Sequence, residues 1–398
     1  MNIIKASPIF NKIIKATLGT YLIRRYRVSC NNSITKNLNP PYIVLANHVN
    51  DLDPFLMGLF IDAPVHFVVS DEQYRNPIKA FFLKHFLGGI PKTKFISDIK
   101  TIRTIIKLVK NQCVIGIFPE GNRNWDGVTG EIIPSTAKLI KMLQIPVVIC
   151  ILEGAYLSHP RWSVHDKIGR IHLNFKSVLT KDTLRHMKVN EIQNELNTLL
   201  LHNEYRLQEK NSFPYTGAKI AEKLERFLFI CPYCHKISTM HSSGNNFYCR
   251  CCDYHVFYTE LGNFKASTGD PIFKNPYRWN KWQMQTLEDL IKKSSMTKKE
   301  IILYQDHDVY LFTASKFHPL KKLTTGQLIL SNTRFCFIHS NNNLVSFNLN
   351  DITGLNIQYG NELEFYYQKN LYRFKFADKG VSAYKWKAGI ECLTKNKG

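Results

Sequence analysis

No stretch of this 398-residue chain approaches the ~20 consecutive apolar residues that a bilayer-crossing helix needs. A helical membrane span is therefore not expected. Acidic residues are scarce: 31 Asp and Glu stand against 53 Lys and Arg, for a net charge of +22, and the first carboxylate is Asp51. An imbalance of this size implies an anionic partner, whether a membrane surface, nucleic acid or phosphorylated substrates. A secretory leader is not expected, because lysines interrupt the N-terminal segment and no small-residue cleavage site follows it. Cys30, Cys113, Cys150, Cys336 and Cys392 stand singly, which argues against a secreted disulfide framework and for a reducing cytoplasm. What is present is a 44% hydrophobic chain, long enough for two or three folded domains.

The stretch around which the chain is organised is Leu45-Ala46-Asn47-His48-Val49-Asn50-Asp51-Leu52-Asp53-Pro54-Phe55. An apolar run from Tyr42 to Ala46 reads as a strand, and Asp53-Pro54 reads as a helix N-cap followed by proline at the first helical position. His48 then falls in a strand-to-helix turn, the edge of an α/β sheet where ligands bind. The spacing lets Asp53 reach one imidazole nitrogen and leaves the other for general base chemistry. Three plainer readings stay open: His48 as an ordinary turn histidine, Asp53 as a cap only, and Asp51 as the true partner. A second stretch, Val114-Ile115-Gly116-Ile117-Phe118-Pro119-Glu120-Gly121-Asn122-Arg123, ends an apolar strand in a glycine turn. Gly121 lets a ligand approach the backbone, and Arg123 offers a planar cation suited to phosphate.

Asn-His-x4-Asp followed about seventy residues later by Phe-Pro-Glu-Gly-x-Arg resembles the glycerolipid acyltransferases, whose type member is 1-acylglycerol-3-phosphate acyltransferase. Gly89-Ile90-Pro91-Lys92-Thr93-Lys94 resembles the second block of that family, with Lys94 where arginine is usual. Ile145-Pro146-Val147-Val148 resembles the fourth, and Asn122 stands where threonine is common in the third. The resemblance covers the first half of the chain. It implies His48 as base and Asp53 as its orienting carboxylate, with Asn47, Lys94, Glu120, Gly121 and Arg123 lining the acceptor site. Within that set Arg123 and Lys94 would hold a phosphate. Glu120 would anchor the loop, since a carboxylate facing a phosphate repels it.

Residues 8 to 27 read as one amphipathic helix, with Ser7 as cap and Phe10, Ile13, Ile14, Leu18, Tyr21 and Leu22 at three- and four-residue spacing. Its cations suit the interface of an anionic leaflet, and packing on its own domain is the other reading. From 42 to about 178, strands at 42–46, 65–69, 114–118, 147–152 and 171–175 alternate with helices near 74–86, 99–111 and 134–143. That pattern predicts a mainly parallel sheet flanked by helices. Residues 180–227 read as helical, and Arg161 and Trp162 as parts of a loop, with exposure the first reading and a place near the active cleft the second.

Cys231-Pro-Tyr-Cys234 and Cys249-Arg-Cys-Cys252 form two Cys-x2-Cys pairs, the pattern of a closed, structural zinc ribbon. Cys251 could replace Cys252 or Cys249. Short alternating segments from 300 onward, with a helix over 381–394, predict a small antiparallel β domain that loosely resembles pleckstrin-homology-like or GRAM-like modules. The expected organisation is a basic membrane-facing helix at 1–30, an acyltransferase domain at 31–215, the ribbon at 228–262, a linking helix at 263–299 and the β domain at 300–398. The expected activity is acyl transfer from acyl-CoA or acyl carrier protein to the sn-2 hydroxyl of a lysophospholipid, at the cytoplasmic face of a membrane. Nucleic acid is the less favoured partner. The contrary reading is a zinc-ribbon adaptor with an inactive acyltransferase fold.

Overall fold

A computed structural model describes residues 5–36, 38–92, 99–297, 299–315 and 318–396. They fall into two compact units, residues 1–161 with 166–216, and residues 217–398 with 162–165. In the first unit seven strands form one sheet. They are β1 (Ser29–Asn31), β2 (Ile43–Ala46), β3 (Val65–Ser70), β4 (Ile90–Lys92), β5 (Val114–Ile117), β6 (Val147–Glu153) and β7 (His172–Leu179). The order is β1-β7-β6-β2-β5-β3-β4, and every pairing is parallel except β6 with β7. This is the mainly parallel sheet that the alternating pattern predicts.

The central strands are buried along their whole length, which is why they read as unbroken apolar runs. Ile43, Leu45, Ile115, Ile117, Ile149 and Ile151 pack with Ile140 of the helix Pro134–Leu143 and Leu196 of the helix Val189–Leu200. Each such side chain contributes about 1.5–3 kcal/mol on burial. The helix Pro134–Leu143 begins on its proline. It stops at Gln144, whose left-handed φ of 47° lets its N–H bond the Ile140 carbonyl. Register then does the positioning. Ile43 pairs with both Ile115 and Val147, and Leu45 with Ile117 and Ile149, so β2 and β5 end together at one edge while β6 runs on past them to Glu153.

β1 and β4 were not foreseen. Each has three residues, and neither Ser-Cys-Asn nor Ile-Pro-Lys carries a strand pattern. The helical reading of 180–227 holds only through Asn211. Ser212 turns left-handed and Phe213-Pro214 cannot extend the helix, leaving turns up to a short 3-10 segment at Leu224–Arg226. The N-terminal helix runs from Pro8 to Arg25 with a π segment at Lys15–Gly19. Its inner side is docked: Gly19 lies against Leu59, where a side chain would collide, and Leu22 and Tyr26 are buried.

The second unit contains a four-stranded sheet of β8 (Met240–Ser243), β9 (Asn246–Cys249), β10 (His255–Tyr258) and β11 (Phe264–Ala266). It also contains a seven-stranded antiparallel sheet of β12 (Ile302–Ala314), β13 (Lys321–Ser331), β14 (Phe335–His339), β15 (Leu344–Phe347), β16 (Thr353–Gln358), β17 (Glu362–Tyr367) and β18 (Asn370–Phe376), followed by the helix Ala383–Asn396. The antiparallel domain with its terminal helix is as expected. Only β16, a polar edge strand with a bulge, escaped the pattern. Residues 263–299 hold the helix Pro276–Ser295, which is packed inside this unit: Trp279 Nε1 donates to the Ile230 carbonyl at 3.0 Å, and Gln283 bridges Phe227 and Phe229. Trp162, expected on an exposed loop, is fully buried edge-on to Tyr258 in the same unit.

Candidate active site and thiol cluster

His48 lies two residues past the end of β2, and its ring is fixed on two sides. Nδ1 donates to Asp53 Oδ2 at 2.8 Å, and the ring stacks on Phe118 at 4.4 Å between centroids. An ionised carboxylate accepts only, so this bond places the proton on Nδ1 and leaves Nε2 as the basic nitrogen. Asp53 is wholly buried and is the first residue of the helix Asp53–Leu59, with Leu52 at the cap position. Its side chain does not cap that helix. Oδ2 instead also accepts from the N–H groups of Val49 (2.7 Å) and Asn50 (3.0 Å), curling the four intervening residues around the carboxylate. The other oxygen, Oδ1, is buried with no hydrogen-bond partner among the described residues.

Asp51 is not the partner of His48. It is 79% exposed and takes Arg123 Nη1 at 2.8 Å. Arg123 is therefore tied to the same loop as His48, and its backbone is held as well. Its carbonyl accepts from Arg161 Nη1 at 2.9 Å, and the Arg161 guanidinium lies 4.7 Å over the Trp125 ring. Arg161 is buried, contrary to its expected place on an exposed loop.

Glu120 fastens the two motifs to each other. Oε1 accepts the His48 N–H at 2.6 Å and Oε2 the Gly130 N–H at 2.7 Å, while the Asn124 N–H donates to the His48 carbonyl at 2.9 Å. Burial pushes its carboxyl up to about 7, against the opposing pull of those two backbone bonds. Gly121 has a φ of 70°, and a side chain there would meet Ile133 at 2.6 Å. The positive φ is what calls for glycine, since the Ile133 tip could shift aside. The Asn47 amide bonds both groups of the Leu152 peptide, 3.2 and 2.8 Å, and so joins the ends of β2 and β6. Lys94 lies outside the described residues.

Three contributors had no role assigned from sequence. Asn50 is buried and bonds the Ala155 carbonyl and the Leu52 N–H, an Asx-type turn signalled by Asn at that point of the loop. Phe118 supplies the stacking surface. Arg161 supports Arg123 from thirty-eight positions away, for which no local signal exists.

In the second unit Cys231, Cys234, Cys249 and Cys252 bring their sulfurs within 4.8 Å of one another. Cys231 and Cys252 are 3.6 Å apart, Cys234 and Cys249 3.7 Å. A disulfide requires about 2.05 Å. Metal–sulfur bonds of about 2.3 Å in a tetrahedron give edges near 3.8 Å, so the cluster has the dimensions of a four-thiolate metal site. Cys251 is exposed and outside it, and its N–H donates to Cys249 Sγ at 3.3 Å.

The acyltransferase family model matches residues 23–153, the segment that carries both motifs and the strands β1 to β6. Among solved structures the chain is similar to the 1-acyl-sn-glycerophosphate (LPA) acyltransferase from Thermotoga maritima, with 18% identity and a TM-score of 0.42 over 51% of this chain and 81% of that one. No curated protein matches the chain.

Proposed function

We propose that residues 23–153, which the acyltransferase family model matches, form an acyltransferase domain, and that the protein esterifies the sn-2 hydroxyl of 1-acyl-sn-glycerol-3-phosphate, giving phosphatidic acid. The acyl donor is acyl-CoA or acyl carrier protein, both anionic and suited to a chain of net charge +22. The observation that carries the reading is the 2.8 Å bond between a buried carboxylate and His48 Nδ1 at the edge where β2 and β5 end.

His48 Nε2 takes the proton of the acceptor hydroxyl as its oxygen attacks the thioester carbonyl carbon. A C–O bond forms and the C–S bond breaks. The proton then passes from the imidazolium to the departing thiolate, which leaves as a free thiol. No acyl-enzyme is required. Asp53 orients the ring and stabilises the imidazolium, and base catalysis of this kind is worth roughly 10²–10⁴-fold. Arg123, with Lys94, holds the acceptor phosphate, and such positioning contributes up to about 7–11 kcal/mol. Glu120, Gly121 and Asn47 hold the shape of the site.

The four cysteines, by their sulfur separations, suit a closed structural zinc site that takes no part in the transfer. No helix among the described residues is long and apolar enough to cross a membrane. The place of action in this reading is the cytoplasmic surface of an anionic membrane, reached by the N-terminal helix, with nucleic acid playing no part.

One observation favours a neighbouring acceptor. Asp51 already occupies Arg123, so a phosphate monoester must displace a carboxylate. A lysophospholipid with a zwitterionic headgroup carries a cation that Asp51 would attract. Both readings are tested by transfer of labelled acyl groups from acyl-CoA to a panel of lyso-acceptors. His48→Ala is expected to lose at least about 10²-fold with an unchanged circular dichroism spectrum. Equal rates for the variant and the unaltered protein would overturn the enzyme reading.

A further inference from the structure

The helix Pro77–His85 is anomalous for a water-soluble fold: none of its nine residues is buried. It nonetheless carries Ile78, Phe81 and Phe82, which are 69%, 53% and 45% exposed. A helix of this length gains little from propensity alone and is ordinarily held by an apolar face against a core. Here that face points outward.

The exposed residues continue onto a second helix. Phe10 of the N-terminal helix sits 4.7 Å from Phe86, which in turn contacts Phe81 and Phe82 at 5.8 and 5.5 Å. The Ser7 N–H donates to the Phe86 carbonyl at 3.1 Å. With its inner side docked through Gly19 and Leu22, the N-terminal helix turns a stripe of Ile9, Ile13, Thr17, Tyr21 and Arg24 to the outside at three- and four-residue steps. Ile9 is 74% exposed. At the far end of this stripe Tyr21, Arg24 and Arg27 line an open groove of 690 Å³.

Charge decides what covers the surface. The sequence has no carboxylate before Asp51, and Asp98 is the only one between Glu72 and Glu120. Lys12, Lys79 and Lys84 are exposed on the two helices. Protruding aromatic and isoleucine side chains within a mainly cationic rim, where Asp166 faces Arg25 and Asp62 faces Lys15 as the acidic exceptions, suit an interface whose interior is apolar and whose surface is negative.

We infer that the helix Pro77–His85 is a second bilayer-contacting element, which joins the N-terminal helix in one aromatic footprint that seats this unit on an anionic membrane. The inference deepens the membrane reading of the proposed function and rests on it for its purpose. It assigns the outward Phe81 and Phe82 to the acyl–headgroup boundary and Lys79 and Lys84 to lipid phosphates.

The test is cosedimentation of the full chain with vesicles of phosphatidylcholine, with and without phosphatidylglycerol. Binding to the anionic vesicles is expected to fall about tenfold in Phe81→Ser/Phe82→Ser. In Lys79→Glu/Lys84→Glu it should fall about fivefold or more per reversed charge, and only when phosphatidylglycerol is present. Both variants should keep their circular dichroism spectra, since no buried residue is altered. Unchanged affinity in both would overturn the inference. So would a concentration-dependent dimer that the phenylalanine variant dissolves, since the patch would then belong to a second copy. Transfer to a short-chain, water-soluble acceptor should be unaffected by either variant. A chain that binds vesicles in this manner yet transfers no acyl group would sink the catalytic reading and leave the footprint standing.

Discussion

His48 and the four cysteines are each gathered from segments distant in the sequence, and the means of holding them differ. Around His48 the fastening is complete in the polypeptide itself: Glu120 takes the His48 and Gly130 amides, Asn124 returns a bond to the His48 carbonyl, and Asn47 is bonded to both sides of the Leu152 peptide. Two carboxylates, the buried Asp53 and the half-buried Glu120, anchor that network at the cost of desolvation, which shows in the raised Glu120 carboxyl. The cysteines have less to hold them. Backbone N–H groups of Tyr233 and Cys234 reach Cys231, that of Tyr254 reaches Cys252, and the Cys251 N–H and Thr239 hydroxyl meet Cys249, but the four sulfurs also crowd one another. Four thiolates at under 5 Å repel strongly unless a cation sits among them. The difference is between a centre preorganised by buried polar bonds and one whose four crowded sulfurs suit a cation among them.

The largest effect that would break this comparison lies in the thiol cluster. About one zinc per chain is expected by metal analysis. Cys252→Ser should lose it and with it the cooperative unfolding of the second unit, since structural zinc carries on the order of 10–16 kcal/mol of apparent binding energy in small zinc-folded peptides. Cys251→Ser should retain both. A metal-free native protein, or loss in Cys251→Ser alone, would refute the assignment.

A smaller effect sharpens the other half. Glu120 has its folded carboxyl raised to about 7 from an ordinary 4.5, so the native state binds the extra proton between those values. The contribution of this group to stability is therefore greatest at low pH and is lost as pH rises through about 7. Glu120→Gln should flatten the fall in thermal midpoint between about pH 5 and 7. It should also cost about 1–3 kcal/mol, because its amide cannot accept from both the His48 and Gly130 N–H groups. An unchanged slope would show that the carboxylate is not the anchor. The smallest effect is at Asp51. Its ion pair with Arg123 is exposed on the acid side, so Asp51→Asn should alter stability by under about 1 kcal/mol. In acyl-transfer assays, KM for a phosphate monoester acceptor should fall while kcat holds. A rise in KM would mean that Asp51 holds Arg123 in its working position.

Where the fold was legible, the signal was periodic and local. Apolar runs at 42–46, 114–118 and 147–152 marked the buried central strands. Where it was not, the stabilising partner lay far off. β1 and β4 are strands only because a neighbour completes their hydrogen bonds. Arg161 looked like a loop residue until its guanidinium found Trp125 and the Arg123 carbonyl. The helix over 77–85 carried the composition of a covered helix, and nothing in its own residues announced that its apolar face stays outside.

The amino-acid order by itself determined the chemistry at hand: a histidine five residues before a carboxylate, a glycine turn before an arginine, and cysteines in two pairs. Spacing over a few residues suffices for that, because the chain between such groups is too short to separate them. Which partner each group took was left to the tertiary structure. Parallel strands ending at one edge brought residues seventy positions apart into bonding distance, giving Arg123 to Asp51 and Glu120 to two backbone amides. Those choices follow from register and burial, quantities that exist only once the sheet has closed.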